Sequence, residues 1–384
     1  MSFIETIFLH YRKKAKKYQV ERIRTIDGLR GYGALIIMMA HFPAFGYSAL
    51  AIGIKNFLSI SSAAYLMVDL FFCTSGFLIT RIIIAEKIKG TFSFSKFFVR
   101  RSLRIFPIYY LTIFIVGCFI TWENMGYVAT YTSNFFFTFN NNPHPMRHTW
   151  SLAVEEHFYL LWPLLFSLVT LATAKRVVSV LFPLLSIAAA FLTYYLVDNH
   201  LADTLLFKAT PYRILSLASG SYLAFIEKDI ISMSKKKYAA LCITVLSLFL
   251  FITFILHNIS AIDFIPYPLR HFLSFSLLSV AVISLVIRMN YSYSKGVVKL
   301  LLLNKPAIFL GEMTYGIYLF HYPIIYVLGL SDRQHVGPAE FYICLMAMLV
   351  TIVLATLSFY FIEKPILNSR KTIENVLFPV PKNQ

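Results

Sequence analysis

Long apolar stretches constrain the fold of this chain more than any other feature of its sequence. A stretch of about 17 to 25 apolar residues is long enough to cross a bilayer as a helix, and the chain holds ten such stretches. Their approximate limits are 29–49, 63–84, 105–122, 150–173, 177–197, 211–226, 238–256, 270–288, 306–330 and 339–362. The sequence therefore predicts an all-α integral membrane protein with about ten transmembrane helices.

The composition excludes a water-soluble globular enzyme. Hydrophobic residues make up 58% of the 384 residues and charged residues only 14%, against roughly a quarter charged in an ordinary soluble domain. This much apolar surface is buried only if most of the chain lies in lipid. The cysteines lie far apart in apolar stretches, without the spacing of a zinc site, so we expect small core residues and no metal centre. They are Cys73, Cys118, Cys242 and Cys344.

The basic residues are divided unequally between the two sets of loops. With ten spans both termini lie on one side, and the loops and termini of that side hold 29 of the 35 Lys and Arg residues. The positive-inside rule then places both termini in the cytoplasm. The net charge of +17 is therefore mostly a signal of orientation, and we expect no nucleic-acid partner.

Three segments are predicted along the chain. Residues 1–28 form a basic cytoplasmic or interfacial segment suited to anionic membrane lipid, residues 29–365 form the ten-helix membrane domain, and residues 366–384 form a short cytoplasmic tail. The loop at 122–149 is rich in Asn and Pro near its end. We expect it to be irregular and to cover the outer face.

Ionisable side chains inside the predicted spans are the first candidate functional residues. Such groups cost about 2.5 kcal/mol or more in hydrocarbon, so they usually face an interior cavity. Arg30 and His41 lie eleven residues apart in the first span; at about 100° per residue they share one helical face, with His41 roughly 16 Å beyond Arg30. A hydrogen-bonded structural histidine explains His41 about as well as a catalytic one. Pairing with Arg30 at the helix start explains Asp27 better than a chemical role does.

Two further sites follow in the second and third spans. Ser75 lies about midway along the second span, below Asp69, where packing of small residues explains it better than catalysis does. Arg101 and Arg104 share a helical face at the cytoplasmic surface, where guanidinium groups suit phosphate oxygens. Anchoring at the membrane surface explains each of these arginines, taken singly, equally well.

The fourth, ninth and tenth spans add carboxylates and a histidine. Glu155 and Glu156 are adjacent, so they point about 100° apart and only one of them faces a given cavity centre. His321 lies roughly 22 Å along the ninth span, in the same layer as His41 and Glu155. A salt bridge with the basic surface is the preferred explanation of Glu363 at the end of the tenth span.

Two classes of protein account for these buried charges. In an enzyme, the arginines bind a phosphate-rich donor while His and Glu side chains nearer the outside remove a proton from an acceptor hydroxyl. In a transporter or flippase of a glycan lipid, the same His and Glu side chains relay protons. A structural or sensory membrane protein leaves the buried charges unexplained.

Six runs of the sequence, in order over residues 24–365, carry recognisable motifs: IDGLRGYGALIIMMAHF, DLFFCTSGFLIT, RRSLRIFPIYYL, HTWSLAVEEHFYLLWPLL, TYGIYLFHYPI and YFIEKP. Together they resemble the membrane acyltransferase-3 family. The resemblance implies transfer of an acyl group, most often acetyl, from cytoplasmic acyl-CoA to a hydroxyl of a lipid-linked or surface glycan such as lipopolysaccharide. It further implies a bacterial inner membrane and acyl-CoA as co-substrate, without a permanently bound cofactor. No oligomeric state follows from the sequence.

The resemblance also implies roles for individual residues. His41 is similar to the family's essential histidine, and Arg30 to the arginine of its Arg-x10-His motif. Arg101 and Arg104 match an Arg-x-x-Arg motif where CoA phosphates are expected, and the adjacent glutamates match the paired acids after WSL. His157 and Phe320 replace the usual glutamine and tryptophan, so we expect them to alter acceptor specificity.

The mechanistic hypothesis has acyl-CoA bound from the cytoplasm on the three arginines. His41, oriented by a carboxylate, acts as general base on the acceptor hydroxyl, and Glu155 and Glu156 are the candidate catalytic carboxylates. A transient acyl-enzyme is an open variant. Asp27, Ser75 and His321 complete the candidate substrate site. Some relatives carry a fused extracytoplasmic hydrolase-like domain, whereas this sequence leads us to expect transfer within the membrane domain or with a separate partner.

Overall fold

The computed structural model describes residues 21–42, 60–258, 267–292, 297–330 and 338–379, and in these ranges all regular structure is helical. The helices are α1 (Arg24–His41), α2 (Ile60–Lys89), α3 (Phe94–Phe119), α4 (Met125–Ala129), α5 (Ser133–Phe139), α6 (Trp150–Leu168), α7 (Leu171–Arg176), α8 (Phe182–Leu196), α9 (Asn199–Lys208), α10 (Thr210–Phe225), α11 (Glu227–Ser232), α12 (Lys235–Asn258), α13 (Tyr267–Ser292), α14 (Val297–Leu302), α15 (Lys305–Glu312), α16 (Thr314–Val327), α17 (Pro338–Ser358) and α18 (Lys364–Leu377). A 3-10 turn, Arg147–Thr149, leads into α6. The π-helical turns Val177–Leu181 and Phe359–Glu363 join α7 to α8 and α17 to α18.

Four helical stretches in the described ranges are long and apolar enough to cross a membrane: Ala64–Lys89, Phe94–Phe119, Leu171–Leu196 and Glu340–Leu377. The prediction of an all-helical, multi-pass membrane protein is therefore confirmed for the described part of the chain. The count of ten spans stays a prediction. The predicted first span continues past Phe42 into residues outside the described part. Most of the predicted N-terminal segment also lies outside the described part.

Glycines allow helix backbones to touch around α2, which packs against α1, α6, α10 and α13. A Cβ atom added to Gly76 would lie 1.9 Å from the carbonyl oxygen of Leu217, and one added to Gly220 would lie 1.8 Å from that of Cys73. The crossing of α2 and α10 therefore depends on hydrogen in place of a side chain at both positions. Close approach of this kind is typical of helix packing in membranes.

A buried ion pair also joins α2 to α10. Arg213 donates to Asp69 at 3.1 Å, and the two side chains are 5% and 1% exposed. Ser216 donates to the same carboxylate and contacts Ser276 of α13 at 2.9 Å. Arg213 lies inside α10. Removing one partner of such a pair is strongly destabilising because it leaves a buried charge uncompensated.

The 122–149 segment is more ordered than the sequence predicted. It contains α4 and α5, and its side chains pack onto the membrane helices. Asn134 donates to the hydroxyl of Thr210 at 3.1 Å, and Lys208 donates to the carbonyl oxygen of Phe137 at 2.6 Å. The expectation of an irregular loop is thus wrong for this part. So is the expectation of a core position for Cys118, which is exposed on α3.

Candidate active site

A polar cavity of about 530 Å³ lies between α1, α2, α3, α6, α15 and α16. Its charged lining residues are Glu21, Arg22, Asp27, Arg30, Arg81, Arg101, Arg104, Glu155, Glu312 and Glu363. Six of the nine predicted site residues contribute to the lining, namely Asp27, Arg30, Ser75, Arg101, Arg104 and Glu155. The other three, His41, Glu156 and His321, lie outside it.

Three arginines face the cavity without an ion-pair partner in the described part of the chain: Arg30, Arg101 and Arg104. The capped start of α3, where Ser93 accepts from the backbone N–H of Lys96, places Arg101 and Arg104 two to three turns along the helix. The guanidinium of Arg101 lies 4.1 Å from the ring centroid of Tyr159, and its Nε atom is buried without a hydrogen bond. Guanidinium groups that share a cavity and lack a close ion pair favour an anionic ligand, and their forks match phosphate oxygens.

The other two arginines that line the cavity are paired. Arg22 binds Asp27 at 2.6 Å and Glu312 at 2.9 Å, and Arg81 binds Glu227 at 2.8 Å. The expected pair of Asp27 with Arg30 is therefore wrong. The segment ahead of α1 brings Arg22 to Asp27 instead, which leaves the guanidinium of Arg30 facing the cavity.

Ser75 of α2 forms a hydrogen-bonded triangle with Glu155 and Tyr159 of α6. Its hydroxyl donates to Glu155 at 2.6 Å and lies 3.1 Å from the hydroxyl of Tyr159, which donates to the other carboxylate oxygen at 3.0 Å. Ser151, Glu155 and Tyr159 are four residues apart and share one face of α6. This triangle supports the ring on which the Arg101 guanidinium rests.

Glu156 points away from the cavity, as the 100° rotation between adjacent helical residues requires. It makes no hydrogen bond in the described part of the chain and lies within electrostatic reach of Tyr109, Tyr131 and Tyr315. Glu156 therefore does not contact the cavity directly, and its catalytic role stays a prediction.

His41 and His321 form a pair of imidazole rings. Their Nδ1 and Nε2 atoms, respectively, are 3.2 Å apart. His41 Nδ1 is also 2.9 Å from the carbonyl oxygen of Ile37, and His321 Nδ1 is 3.2 Å from that of Ile317. Because a carbonyl oxygen only accepts, both Nδ1 atoms carry hydrogen, and neutral His41 keeps its lone pair on Nε2. The expectation that a carboxylate orients His41 is wrong; a backbone carbonyl and His321 do so.

Tyr318 separates the cavity from this histidine pair. Its hydroxyl donates to the carbonyl oxygen of His148 at 2.8 Å and contacts the hydroxyl of Ser151 at 2.5 Å. Tyr318 and Ser151 line the cavity, and the Tyr318 ring lies 5.5 Å from that of His321. Tyr318 therefore lies next to both the cavity and the histidine pair.

Several polar groups of this region were not predicted from the sequence: His148, Ser151, Tyr159 and Tyr318. Ser151, Glu155 and Tyr159 are spaced four residues apart, and this spacing could have predicted that they share one helical face. An aromatic residue in a span is, however, equally typical of lipid contact. Glu363 was assigned to a surface salt bridge, yet it is 8% exposed and accepts from Ser358 at 3.2 Å. The π-helical turn directs its carboxylate inward, towards the cavity.

The two residues expected to alter acceptor specificity do not line the polar cavity. His157 pairs with the hydroxyl of Thr210 at 2.7 Å through Nδ1, and Phe320 borders a separate apolar groove between α3, α16 and α17. Within the described ranges, no group of three or more His, Cys, Asp or Glu side chains is arranged to hold a metal ion.

The fold and the cavity define a multi-pass membrane protein with an arginine-lined site inside its helical domain. A model of the acyltransferase domain matches residues 23–358, so the chain belongs to the acyltransferase-3 family. Curated relatives include the peptidoglycan O-acetyltransferase OatA of Listeria monocytogenes (27% identical, covering 92% of this chain and 57% of the relative). Others are the putative peptidoglycan O-acetyltransferase YrhL of Bacillus subtilis (28%; 89% and 54%) and the O-acetyltransferase OatA of Staphylococcus aureus (27%; 93% and 59%).

The chain thus spans somewhat more than half the length of these relatives. No solved structure matches it.

Proposed function

We propose that this protein is a membrane O-acyltransferase that moves an acetyl group from acyl-CoA to a hydroxyl of an extracytoplasmic glycan. The observation that carries the proposal is the set of three arginines that have no ion-pair partner within the described ranges and share a cavity with Tyr318, whose ring lies 5.5 Å from that of His321. Membership of the acyltransferase-3 family and the activity in the names of the relatives support the same reaction.

The donor occupies the arginine-lined cavity in this proposal. Acyl-CoA carries its charge on phosphates, and Arg30, Arg101 and Arg104 offer guanidinium groups that no carboxylate of the described chain neutralises as an ion pair. The pantetheine arm, which is uncharged, then extends past Ser75 and Tyr318. This order brings the thioester, at the far end of the arm from the phosphates, towards His41.

His41 is the general base in this proposal. As the acceptor hydroxyl attacks the thioester carbonyl, its proton passes to His41 Nε2, a C–O bond forms and the C–S bond breaks. The CoA sulfur leaves as a thiolate, which takes up the proton and departs as a thiol. His321 holds the His41 ring in the tautomer that this step needs. The roles of Glu155 and Glu156 as catalytic carboxylates stay predictions.

The orientation follows from the distribution of charge. We propose ten spans with both termini in the cytoplasm of a bacterial cell, so that the arginines face the CoA pool and the histidine pair lies towards the outer side. The excess of Lys and Arg in one set of loops supports this topology. Residues 366–384 then form the cytoplasmic tail.

The acceptor is a lipid-linked or surface glycan. Lipopolysaccharide was the expected example of such a glycan, but two of the three relatives cited above carry peptidoglycan in their names. We therefore propose peptidoglycan, or its lipid-linked precursor, as the acceptor.

Transfer of label from radioactive acetyl-CoA tests the activity. Membranes that contain the unaltered protein are expected to label lipid-linked or wall glycan, and membranes with His41→Ala are not. Full transfer by His41→Ala overturns the assignment of the base. No transfer by the unaltered protein, with the acceptor pool shown to be present and other acyl-CoAs tried, favours a transporter instead.

A further inference from the structure

A third imidazole lies beside the His41–His321 pair. His148 belongs to the turn that precedes α6 and is 2% exposed. Its ring centroid lies 5.1 Å from that of His321, and it stacks on Tyr322 at 5.3 Å with an interplanar angle of 20°. Three separate parts of the chain therefore bring three imidazole rings together next to Tyr318, which lines the cavity.

His148 differs from the other two rings in the environment of its two ring nitrogens. Neither ring nitrogen makes a hydrogen bond in the described part of the chain. The carbonyl oxygens of Tyr318 and Leu319 lie near the ring, but neither is placed to accept from it. A buried polar group left in this state costs free energy, and such groups in native proteins usually have a partner in a ligand or water.

His144 provides a comparison within the same segment. Its Nε2 atom pairs with the carbonyl oxygen of Glu123 at 3.0 Å, and its Nδ1 atom accepts from the backbone N–H of Met146 at 3.1 Å. Both polar atoms of His144 are thus used to hold the turn. The 122–149 segment can satisfy a buried histidine internally, and it does not do so for His148.

We propose that His148 binds the acceptor, with one of its ring nitrogens hydrogen-bonded to the sugar hydroxyl that receives the acyl group. A neutral imidazole offers one donor and one acceptor, and a hydroxyl offers the same, so the two are complementary. A phosphate would need donors only, and the cavity arginines supply those. Tyr318 and Ser151 line the cavity and contact the backbone carbonyl of His148, so His148 lies outside the donor cavity, as His41 does.

This inference rests on the proposed function and adds the residue that holds the acceptor. His148 takes no net proton in the reaction. The hydroxyl proton still passes to His41, while His148 fixes the hydroxyl oxygen for attack on the thioester. We therefore expect substitutions of His148 to change the use of the acceptor and to leave the binding of acyl-CoA unchanged.

The test uses the full-length protein in detergent, radioactive acetyl-CoA, and an oligosaccharide of β-1,4-linked N-acetylglucosamine as acceptor. His148→Phe keeps a ring for stacking on Tyr322 but removes both nitrogens, and His148→Gln restores a donor and an acceptor. His144→Gln is the matched control. Losing one or two hydrogen bonds predicts that kcat/KM for the oligosaccharide falls about 10- to 100-fold in His148→Phe and less in His148→Gln.

The KM for acetyl-CoA and the rise in melting temperature on adding CoA are expected to stay as in the unaltered protein for all three variants. Unchanged use of the oligosaccharide by His148→Phe overturns the inference and leaves the proposed function intact. An equal loss of CoA stabilisation and acceptor use in both His148 variants also overturns it, because that result indicates a structural role. Absence of transfer by the unaltered protein, both to the oligosaccharide and in native membranes, overturns the proposed function itself.

Discussion

Replacing Arg101 by glutamine tests the donor site most directly. The guanidinium has no ion-pair partner in the described chain, so its removal costs no salt bridge there, and its contact with Tyr159 is lost equally from the free and the bound protein. The expected effect of the substitution on donor binding is therefore the loss of the contact between Arg101 and a donor phosphate. Hydrogen bonds to charged groups contribute about 1.5 to 3 kcal/mol, which predicts an increase of about 10- to 150-fold in the apparent KM for acetyl-CoA.

The assay is initial-rate transfer of labelled acetyl groups at varied acetyl-CoA and fixed acceptor. Arg101→Lys keeps the charge but not the planar fork, and we expect an intermediate KM. Arg100→Gln is the matched control. Arg100 is the preceding residue of α3, but it pairs with Glu86 at 2.7 Å and does not line the cavity. Its loss breaks that ion pair, so we expect a lower melting temperature and an unchanged KM for acetyl-CoA.

Tyr159→Phe separates donor binding from support of the triangle. It keeps the ring under the Arg101 guanidinium and removes the hydroxyl that bonds Glu155, so we expect an unchanged KM for acetyl-CoA and a lower kcat. If Arg101→Gln and Arg100→Gln give the same KM as the unaltered protein, the arginine cavity is not the donor site and the reasoning fails.

Three further predictions follow from packing, charge and pH. Gly76→Ala would place a Cβ atom 1.9 Å from the carbonyl oxygen of Leu217, so we expect the free energy of unfolding to fall by about 1 to 3 kcal/mol or more. Gly126→Ala is the control, because Gly126 has open space around it, and it should leave the melting temperature unchanged. Glu155→Gln removes the carboxylate from the cavity, so we expect kcat to fall about 100-fold or more. The melting temperature should stay within a few degrees of that of the unaltered protein. Full activity of the variant would exclude a chemical role for Glu155. Burial lowers the pKa of Lys208 to about 8, with a smaller contribution from a nearby arginine charge. Because the unfolded chain then holds more protons between pH 8 and the usual lysine pKa of about 10.4, the free energy of unfolding should rise with pH across that window, and Lys208→Met should abolish the rise; a rise that persists in the variant contradicts this assignment.

The sequence by itself determined the class of the protein and much of the cavity lining. Apolar stretches longer than a bilayer require membrane helices, because no soluble fold covers so much apolar surface. Helical periodicity, a property of each segment alone, grouped Arg101 with Arg104 on one face. It also required that the adjacent glutamates diverge, and in the structure only Glu155 lines the cavity.

Only the tertiary structure decided which groups meet across helices. His41 contacts His321, 280 residues later, Asp69 pairs with Arg213, and His148 joins the histidines from a segment expected to be an irregular loop. Periodicity fixes the directions of side chains around one helix axis, but not the rotation and depth of that helix against its neighbours. Those are set by close contacts such as that of Gly76 with the backbone of α10, between segments far apart in the chain, and these contacts determine which polar groups share a cavity.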